Sequence, residues 1–410
     1  MASYSVSQIR FTERSRTVTG TPASYWLLLA FLFLVYANLP IVMPALDALR
    51  PAKVVAGLAL VMLLAERAFA RRTFELAWPE GFALLGFLGA AALSSVTALW
   101  PRLAADSVSD LVKMALVFFF IVNCVSTERQ IRGVMWTIVI GGLLPAVGTL
   151  RNHLQGNLVD GRAAWVGIFA NPNEVAYSLV ILLPLVAFLA TGLGRLPRLA
   201  LLGIALVYVA AILVTFSRGG LVALAVVMGL CAWRKRSVVL LGLMALSVAA
   251  GLIYAGQIWS RPENFENLKG DLTLRHRLAT SEAGLAMFAD RPLFGVGLGC
   301  SVIAWPLYAP EGLYTRGALM THNTFMQALG ETGGVGFVSF MLFLGFGLYH
   351  ARKLALKSPR TGMVNVGTGI EIALWGFVVC GLSGGYVLTW FPYILLGLAA
   401  SARQIAGKTL

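Results

Sequence analysis

Long apolar runs recur along almost the whole chain and are separated by mostly short polar connections. Runs of this length cross a hydrocarbon core about 30 Å thick as helices, because a helix satisfies its own backbone polar groups in lipid. The pattern predicts twelve membrane-spanning helices, at residues 24–43, 52–70, 80–99, 108–126, 133–150, 174–192, 198–216, 219–233, 237–256, 321–349, 367–385 and 388–403. We therefore expect an all-α polytopic membrane protein.

Composition agrees with this class and excludes a soluble globular domain. Hydrophobic residues make up 58% and charged residues 12% of the 410 positions, whereas ordinary domains carry about 25% charged residues. No internal repeat or soluble domain interrupts the spans, so residues 1–410 are expected to form a single membrane domain. Its polar parts are an N-terminal segment at 1–23, one long loop at 257–320 and a tail at 404–410.

The net charge of +14 follows from where Lys and Arg stand relative to the spans. With the N-terminus in the cytoplasm, every short loop on that side is basic, as the positive-inside rule requires. We therefore predict that both termini are cytoplasmic, that the 257–320 loop faces outwards, and that nucleic acid is not a partner. The first apolar run has spanning length and no small-residue cleavage site follows it, which predicts an uncleaved signal anchor.

The long loop contains a predicted helix followed by a glycine-rich run. Apolar residues at helical spacing predict a partly amphipathic helix over 272–289, which lies along the membrane interface and ends before Pro292. Arg277 is expected on the side away from the leucines. The run 291–299 lacks the preceding strand and the spacing of a nucleotide-binding loop. A tight re-entrant connection, in which backbone approaches backbone, is the favoured interpretation.

Arg218 lies in the run Ser217-Arg-Gly-Gly220, at the outer junction of the seventh and eighth predicted spans. A guanidinium at a membrane edge is costly unless it pairs or its long side chain reaches the interface, and such residues are functional by default. Its planar fork grips phosphate in a bidentate manner, which makes the diphosphate of a lipid its natural ligand. A simple interfacial anchor is the alternative.

His322 begins the tenth predicted span, directly after the arginine-rich loop. An imidazole with a pKa near 6.5 accepts a proton from a hydroxyl at neutral pH, and neighbouring arginines would help to keep it neutral. A histidine that only bonds local backbone at a helix start is the alternative. Glu331, further along the same span, needs a partner inside the membrane, and we expect one of the arginines.

Two further features concern the outer loops. The loop 151–173 ends in Asn171-Pro-Asn173, which favours a turn before a helix, and we predict that Asn173 caps the sixth span. The outer carboxylates are scattered and no Asp-x-Asp occurs in the chain, whereas a divalent cation on a diphosphate wants clustered carboxylates. We therefore expect neither a metal ion nor a cofactor, with arginines in the place of the metal.

Together these residues resemble the O-antigen ligase and polymerase superfamily of bacterial envelopes. The matching pieces, in order, are Ser217-Arg-Gly-Gly220, Arg277, the run 291–299, His322-Asn323, and Glu331 with Gly333 and Gly336, with 169–173 as a weaker match upstream. Each piece is short, whereas their order, spacing and predicted topology make the set specific over roughly the second half of the chain. Ser281 stands where a tryptophan is expected, so Arg275 remains a rival to Arg277.

The resemblance implies a fold similar to the GT-C class and a metal-independent, inverting glycosyltransferase of the bacterial inner membrane with a periplasmic active site. The donor would be a glycan on undecaprenyl diphosphate, and the acceptor would be a sugar hydroxyl on lipid A-core. Both substrates would enter the site sideways from among the inner-membrane lipids. The residues that would hold the diphosphate are Arg218 and Arg277, with support from Arg275 and Arg291. His322 would orient or deprotonate the acceptor hydroxyl. The other residues expected to bind substrate are Asn323, Glu331, Arg162, Asn171 and Asn173.

Two other functions remain open. O-antigen or exopolysaccharide polymerases and pilin glycosyltransferases share these motifs and differ mainly in the acceptor. A transporter or flippase of lipid-linked glycans belongs to a different class, for which twelve spans are also typical, and it would show internal repeats with broken helices near the midplane. Here the polar residues crowd towards the outer edge, which favours an enzyme.

Overall fold

The computed structural model describes residues 21–43, 49–236, 272–310, 319–357 and 361–407, together with isolated helical positions between 242 and 249. Most of the ninth predicted span, residues 257–271 and 311–318 of the long loop, and nearly all of the N-terminal segment lie outside this part of the chain. The helices are α1 (Ala23–Ala37), α2 (Leu39–Val42), α3 (Pro51–Phe69), α4 (Glu80–Val96), α5 (Pro101–Cys124), α6 (Glu128–Gly141), α7 (Leu143–Leu154), α8 (Pro172–Leu189), α9 (Arg195–Val214), α10 (Arg218–Lys235), α11 (Leu272–Asp290), α12 (Ser301–Tyr308), α13 (Thr324–Lys357), α14 (Thr361–Gly381) and α15 (Trp390–Gly407).

Several of these helices have the length and composition of membrane spans. Within the described ranges, six stretches are long and apolar enough to cross a membrane, namely Pro101–Cys124, Glu128–Leu154, Pro172–Leu189, Arg195–Val214, Thr324–Leu356 and Thr361–Gly381. The helices α1 and α4 are also apolar but contain only 15 and 17 residues. The chain is therefore an all-α polytopic membrane protein, as the apolar pattern predicts. The number of twelve spans and the GT-C-like arrangement stay predictions.

The loop between α7 and α8 differs from the expectation in two details. It contains two short antiparallel strands, β1 (Leu158–Val159) and β2 (Arg162–Ala163). The prediction that Asn173 caps the following helix is wrong, because the N-cap of α8 is Asn171, whose Oδ1 accepts a hydrogen bond from the amide of Asn173 at 2.9 Å. Pro172 takes the first helical position, where its missing N–H leaves no unmet bond.

The centre of the bundle is α8, which packs against α9, α10 and α14. Its most apolar stretch is 83% buried, whereas that of α9 is only 22% buried. Small residues allow these helices to approach closely, since a Cβ atom at Gly376 of α14 would lie 2.9 Å from Val227 of α10. α8 is thus surrounded by protein, and α9 presents most of its apolar surface outwards.

The two ends of the bundle have different polar chemistry. We call the end at which α8, α10 and α13 begin the site end, and the end at which α10 and α13 finish the far end. At the far end, buried Glu371 pairs with Arg234 at 2.6 Å and with Arg352 at 3.2 Å. Buried Glu80 pairs there with Arg403 at 3.1 Å. These carboxylates would be costly in a membrane without partners, so the pairs fix the helix ends to one another.

The helix α13 is divided at Gly333, which has φ 65° and ψ −168°. A side chain there would be strained by the positive φ, and its Cβ would lie 2.4 Å from the carbonyl group of Leu293. α13 as a whole packs beside α4, α11, α14 and α15, and Met326, before the kink, lies against Gly284 of α11. The kink therefore sets the part of α13 that follows His322 apart from the part that spans the bundle.

The glycine-rich run 291–299 is a tight re-entrant connection, as the sequence indicates. The amide of Val296 donates to the carbonyl of Gly330, and the amide of Gly297 donates to that of Glu331, both at 3.0 Å. Glycines at three positions of this run have positive φ, which lets the backbone turn back on itself. The run thus lies directly against α13 on both sides of Glu331.

The helix α11 confirms the predicted loop helix and extends it by one residue, to Asp290. Leu274, Leu278 and Leu285 of this helix are exposed, whereas its small residues Ala279 and Ala283 are buried together with Met287. Gly284 of the same face lies against Met326 of α13, where an added Cβ would be 3.3 Å from the Met326 Cβ. This face holds α11 against the first turns of α13.

Candidate functional site

Asn173 joins the loop before α8 to the start of α10. Its Oδ1 accepts hydrogen bonds from Arg162 Nη2 and from Ser217 Oγ, each at 2.7 Å. Arg162 also donates through Nε to the carbonyl of Thr215 at 2.9 Å, and the Ser217 hydroxyl is the N-cap of α10. The structure therefore brings Arg162 and Asn173 to the segment that presents Arg218, where both contact protein groups.

Arg218 is the first residue of α10 and is half-buried at the site end. The amide groups at a helix N-terminus carry partial positive charge, so the start of α10 and the guanidinium of Arg218 would both attract an anion. A Cβ atom at Gly219 would lie 2.1 Å from Tyr177 Oη and 2.8 Å from Ser383 Oγ, two hydroxyls that are hydrogen-bonded to each other at 2.6 Å. Because residue 219 is a glycine, the two hydroxyls can pack directly against the backbone beside Arg218.

The connection between α14 and α15, residues 382–389, lies over the start of α13. The Thr324 hydroxyl donates to the carbonyl of Gly384 at 2.6 Å and accepts from the amide of Tyr386 at 2.9 Å. The ring of Tyr386 packs edge-to-face on Tyr177, with centroids 5.6 Å apart. The starts of α8, α10 and α13 therefore meet this connection in one polar surface at the site end.

His322 lies two residues before α13 begins, and it is half-buried. Its backbone amide donates to the hydroxyl of Thr280 in α11, at 3.4 Å. Burial lowers the pKa of the His322 imidazole, and the positive charge of Arg277 and the neighbouring His276 ring lower it further. The imidazole is therefore neutral at pH 7 and able to accept a proton.

Arg277 and Arg275 occupy different sides of α11. Arg277 is half-buried, whereas Arg275 is exposed. The charge of Arg277 acts on two groups of the site, since it lowers the pKa of His322 and opposes the rise that burial causes in the pKa of Tyr386. The structure thus brings Arg277 to the same surface as His322, and it does not bring Arg275 there.

Two residues that the sequence analysis did not select also lie at this surface. The Nε2 atom of His276 is buried and has no hydrogen-bond partner among the residues that the structure describes. Glu174, the third residue of α8, is half-buried and close enough to Tyr386 to affect its pKa. Only their positions in the sequence could have indicated these two residues. His276 stands between the two candidate arginines, and Glu174 directly follows the Asn-Pro-Asn turn.

The partner expected for Glu331 is not an arginine. Its Oε1 accepts from the Ser301 hydroxyl at 2.6 Å and from the Ser301 amide at 3.3 Å, and its Oε2 accepts from the Gly299 amide at 2.9 Å and from Gln327 Nε2 at 3.3 Å. The side chain is 1% exposed. Since these donors already satisfy both oxygens, the carboxylate ties the re-entrant connection to α13.

Asn323 and Arg291 also contact protein groups. The Oδ1 of Asn323 accepts from the amides of Phe325 and Met326, at 2.9 and 3.2 Å, and so caps the start of α13. Arg291 donates to the carbonyl of Thr97 at 2.5 Å. A helix rises about 1.5 Å per residue, which puts Arg291 about 20 Å along α11 from Arg277. The structure therefore does not bring Arg291 to the surface that contains His322.

The described residues hold no group of three or more His, Cys, Asp or Glu side chains that could bind a metal ion. The polar groups described above at the surface around His322 and Arg218 are guanidinium, imidazole, hydroxyl and amide groups, together with the carboxylate of Glu174. Guanidinium and amide N–H groups stabilise anionic oxygens, and a neutral imidazole accepts a proton. Chemically, this arrangement suits an anionic leaving group and a hydroxyl nucleophile.

Comparison with known proteins supports the resemblance seen in the motifs. A sequence model described as O-antigen ligase matches residues 201–341 of the chain. This match contains Arg218, Arg275, Arg277, Arg291, His322, Asn323 and Glu331, whereas Arg162, Asn171 and Asn173 lie before it. The exopolysaccharide production protein ExoQ of Rhizobium meliloti (strain 1021) is 26% identical over 273 residues, which cover 62% of this chain and 62% of that protein. The resemblance to the O-antigen ligase and polymerase superfamily is confirmed.

Proposed function

We propose that this chain is an inverting, metal-independent glycosyltransferase that transfers an O-antigen glycan from undecaprenyl diphosphate to a sugar hydroxyl of lipid A-core. The observation that carries the proposal is that Arg277 lies beside the desolvated imidazole of His322, at the end of the bundle where Arg218 begins α10. The O-antigen ligase match contains all three residues and supports it.

The leaving group in this reaction is a lipid diphosphate, whose departure needs stabilisation of negative charge more than it needs a proton. Arg218 and Arg277 would provide this stabilisation, because preorganised cations in a partly desolvated site act most strongly on charge that develops in the transition state. The amides at the start of α10 add to the field at Arg218. Arg162 and Asn173 would hold that helix start in place through their hydrogen bonds to Thr215 and Ser217.

The acceptor side of the reaction needs a group that takes a proton. The acceptor oxygen would attack the anomeric carbon of the donor sugar, the bond between that carbon and the diphosphate oxygen would break, and the hydroxyl proton would pass to the imidazole of His322. Attack from the side opposite to the leaving group inverts the anomeric configuration. Glu174 and His276, which lie at the same surface, are candidates for orienting the acceptor hydroxyls.

The location follows from the charge distribution and from the nature of both substrates. The positive-inside rule supports cytoplasmic termini, and thereby a site end in the periplasm of the bacterial inner membrane. Donor and acceptor are both lipids, so each would enter sideways from the bilayer. The exposed leucines of α11, Leu274, Leu278 and Leu285, are compatible with contact to lipid beside the site.

A second candidate is a polymerase that adds one lipid-linked glycan to another. The specific observation in its favour is the similarity to a protein named for exopolysaccharide production. The same arginines and histidine would serve this reaction, and only the source of the acceptor hydroxyl would change.

The test is transfer in vitro, with the purified full chain in lipid nanodiscs and an oligosaccharide on undecaprenyl diphosphate as donor. One arm offers lipid A-core as acceptor, and the other offers only the donor lipid. We expect a product on lipid A-core, and Arg218→Ala should lower its rate by about two orders of magnitude. Excess chelator should leave the rate unchanged.

Each other outcome has a definite meaning. Lengthening of the donor glycan without modification of lipid A-core would establish the polymerase in place of the ligase. Loss of transfer on chelation, with recovery on addition of magnesium or manganese, would contradict the metal-independent mechanism. Full activity of Arg218→Ala would return Arg218 to the role of an interfacial anchor.

A further inference from the structure

A cavity of about 560 Å³ lies at the far end of the bundle, at the opposite end from the proposed active site. It is bounded by the end of α8, the start of α9, the end of α10 and the facing parts of α13 and α14. Three of its lining side chains are cationic and three are neutral and polar, namely Arg198, Arg234, Lys235, Thr191, Asn365 and Thr368. The proposed glycosyl transfer assigns no role to this cavity.

The surroundings of the cavity carry an excess of positive charge. Glu371 is paired with Arg234 and Arg352 together, so one carboxylate faces two guanidinium groups. Lys235 Nζ donates to the carbonyl of Ala187 and to Thr191 Oγ1, which are uncharged acceptors. These contacts hold its ammonium group at the cavity wall and leave its charge uncompensated.

Other groups close to the cavity do not reverse this balance. Arg132 donates to the carbonyls of Leu189 and Thr191, at 3.2 and 3.5 Å, and so adds another cation. The carboxylate of Glu128 lies against Gly362, three residues before the lining residue Asn365. Within the described ranges, cations therefore outnumber carboxylates around this opening, and such an excess of positive charge attracts anions.

The surface next to the opening is apolar. Leu196 and Leu199, on either side of Arg198 in α9, are 79% and 54% exposed, and Trp233 of α10 is 67% exposed. The cavity wall itself also includes the apolar side chains of Phe188 and Val364. A ligand that combines an anionic head with hydrocarbon chains would use both kinds of surface, whereas a free phosphate ion would use only the cations.

We propose that this cavity binds the phosphodiester headgroup of an anionic glycerophospholipid, with the acyl chains lying against the exposed apolar residues of α9 and α10. Arg198 and Lys235 supply the charge, because Arg234 is engaged with Glu371 through both carboxylate oxygens, at 2.8 and 2.6 Å. Thr191, Asn365 and Thr368 provide neutral polar groups around the head. The cavity is distinct from the proposed donor lipid site, which would lie at the other end of the helices.

The experiment is native mass spectrometry of the purified full chain in detergent, titrated with phosphatidylglycerol and, separately, with phosphatidylcholine of the same acyl composition. We expect phosphatidylglycerol to bind more tightly. A cation near an anionic lipid surface contributes about 1 kcal/mol, so Arg198→Gln and Lys235→Gln should each weaken phosphatidylglycerol binding about fivefold. Arg195→Gln is the matched control, since Arg195 is an exposed arginine of α9 that does not line the cavity.

Three results would overturn the proposal. Equal binding of the two lipids would show that the anionic headgroup is not recognised. An equal effect of Arg195→Gln and Arg198→Gln would show general attraction to the charged end of the bundle. Complete displacement of phosphatidylglycerol by millimolar inorganic phosphate would show a site for a free anion. Arg198 is exposed, so Arg198→Gln should fold normally. It therefore tests the proposal even if Lys235→Gln fails to fold.

Discussion

The backbone amide of His322 donates a hydrogen bond to the hydroxyl of Thr280, at 3.4 Å. That hydroxyl donates in turn to the carbonyl of Arg277, at 3.1 Å, and Arg277 stands one helical turn before Thr280 on the same side of α11. The contact therefore connects the start of α13 with the part of α11 that carries Arg277. It explains how a histidine and an arginine that are 45 positions apart act at one surface.

The position of Arg277 predicts a clear difference from its neighbour Arg275. Arg277→Ala should lower the transfer rate by about two orders of magnitude at normal membrane abundance, because it removes charge stabilisation at the leaving group. Arg275→Ala, at the exposed side of the same helix, should stay within about threefold of the native rate. Arg277→Lys should restore only part of the activity, since an ammonium group lacks the planar fork.

Transfer rates of the three variants, normalised to folded protein, decide this point. If Arg275→Ala lost as much activity as Arg277→Ala, the exposed side of α11 would have to be part of the site.

The proposed role of His322 as a base predicts a specific pH dependence. Burial, the charge of Arg277 and the neighbouring His276 ring lower its pKa from the ordinary value, so transfer should be constant around neutral pH and fall as the pH drops through the lowered pKa. Because the pKa is lower in the folded protein, the unfolded chain binds this proton more tightly. The free energy of unfolding should therefore also fall as the pH drops from the unfolded pKa of the histidine towards its folded pKa. Both quantities are measurable on purified protein.

Variants of His322 and Arg277 test the base role separately from donor binding. His322→Ala should abolish transfer while donor binding remains, because the arginines hold the diphosphate. Arg277→Gln should move the acid limb of the residual activity to higher pH, whereas Arg277→Lys, which keeps the charge, should not. Loss of donor binding together with transfer in His322→Ala would place the imidazole in the diphosphate site instead.

Glu331 should act on stability more than on chemistry. Its carboxylate accepts from Gly299 and Ser301, and hydrogen bonds to charged groups contribute about 1.5–3 kcal/mol each. Glu331→Gln should therefore lower the thermal stability measurably and lower membrane abundance, with substantial transfer per folded molecule. The test is a melting curve and a transfer rate on the same preparation. Normal stability with lost transfer would mean that Glu331 contacts substrate.

Gly219 offers a test of the contact beside Arg218. A Cβ atom there would lie 2.1 Å from Tyr177 Oη, so Gly219→Ala must displace Tyr177 or Ser383 and shift the start of α10. We expect a loss of transfer of about tenfold or more, since small misplacements of catalytic groups have large effects. The matched control is Gly89→Ala in α4, where an added Cβ meets no atom within 4 Å.

The Gly89→Ala protein should keep native activity. Native activity in Gly219→Ala would show that the Tyr177 and Ser383 hydroxyls can move away without consequence for Arg218.

Local sequence patterns predicted much of this protein. The apolar runs indicated an all-α polytopic membrane protein, and helical spacing located the loop helix to within one residue of its end at Asp290. Ser217, Arg218 and His322 were recognisable because each follows or precedes an apolar run at a membrane edge. These features depend on hydrophobicity, helix period and helix termini, which operate over a few residues and are therefore visible in the chain itself.

Contacts between distant segments were not predictable in this way. The side of α11 that faces α13 separates Arg277 from Arg275, and it depends on contacts such as that of Gly284 with Met326, which is 42 positions away. The partners of Glu331 are the amides of Gly299 and Ser301 and the side chains of Ser301 and Gln327, and a backbone amide gives no signal in the sequence because it looks the same at any residue. Periodicity tells which residues a helix can present together, whereas only the packing of one helix on another determines which of them meet at the site.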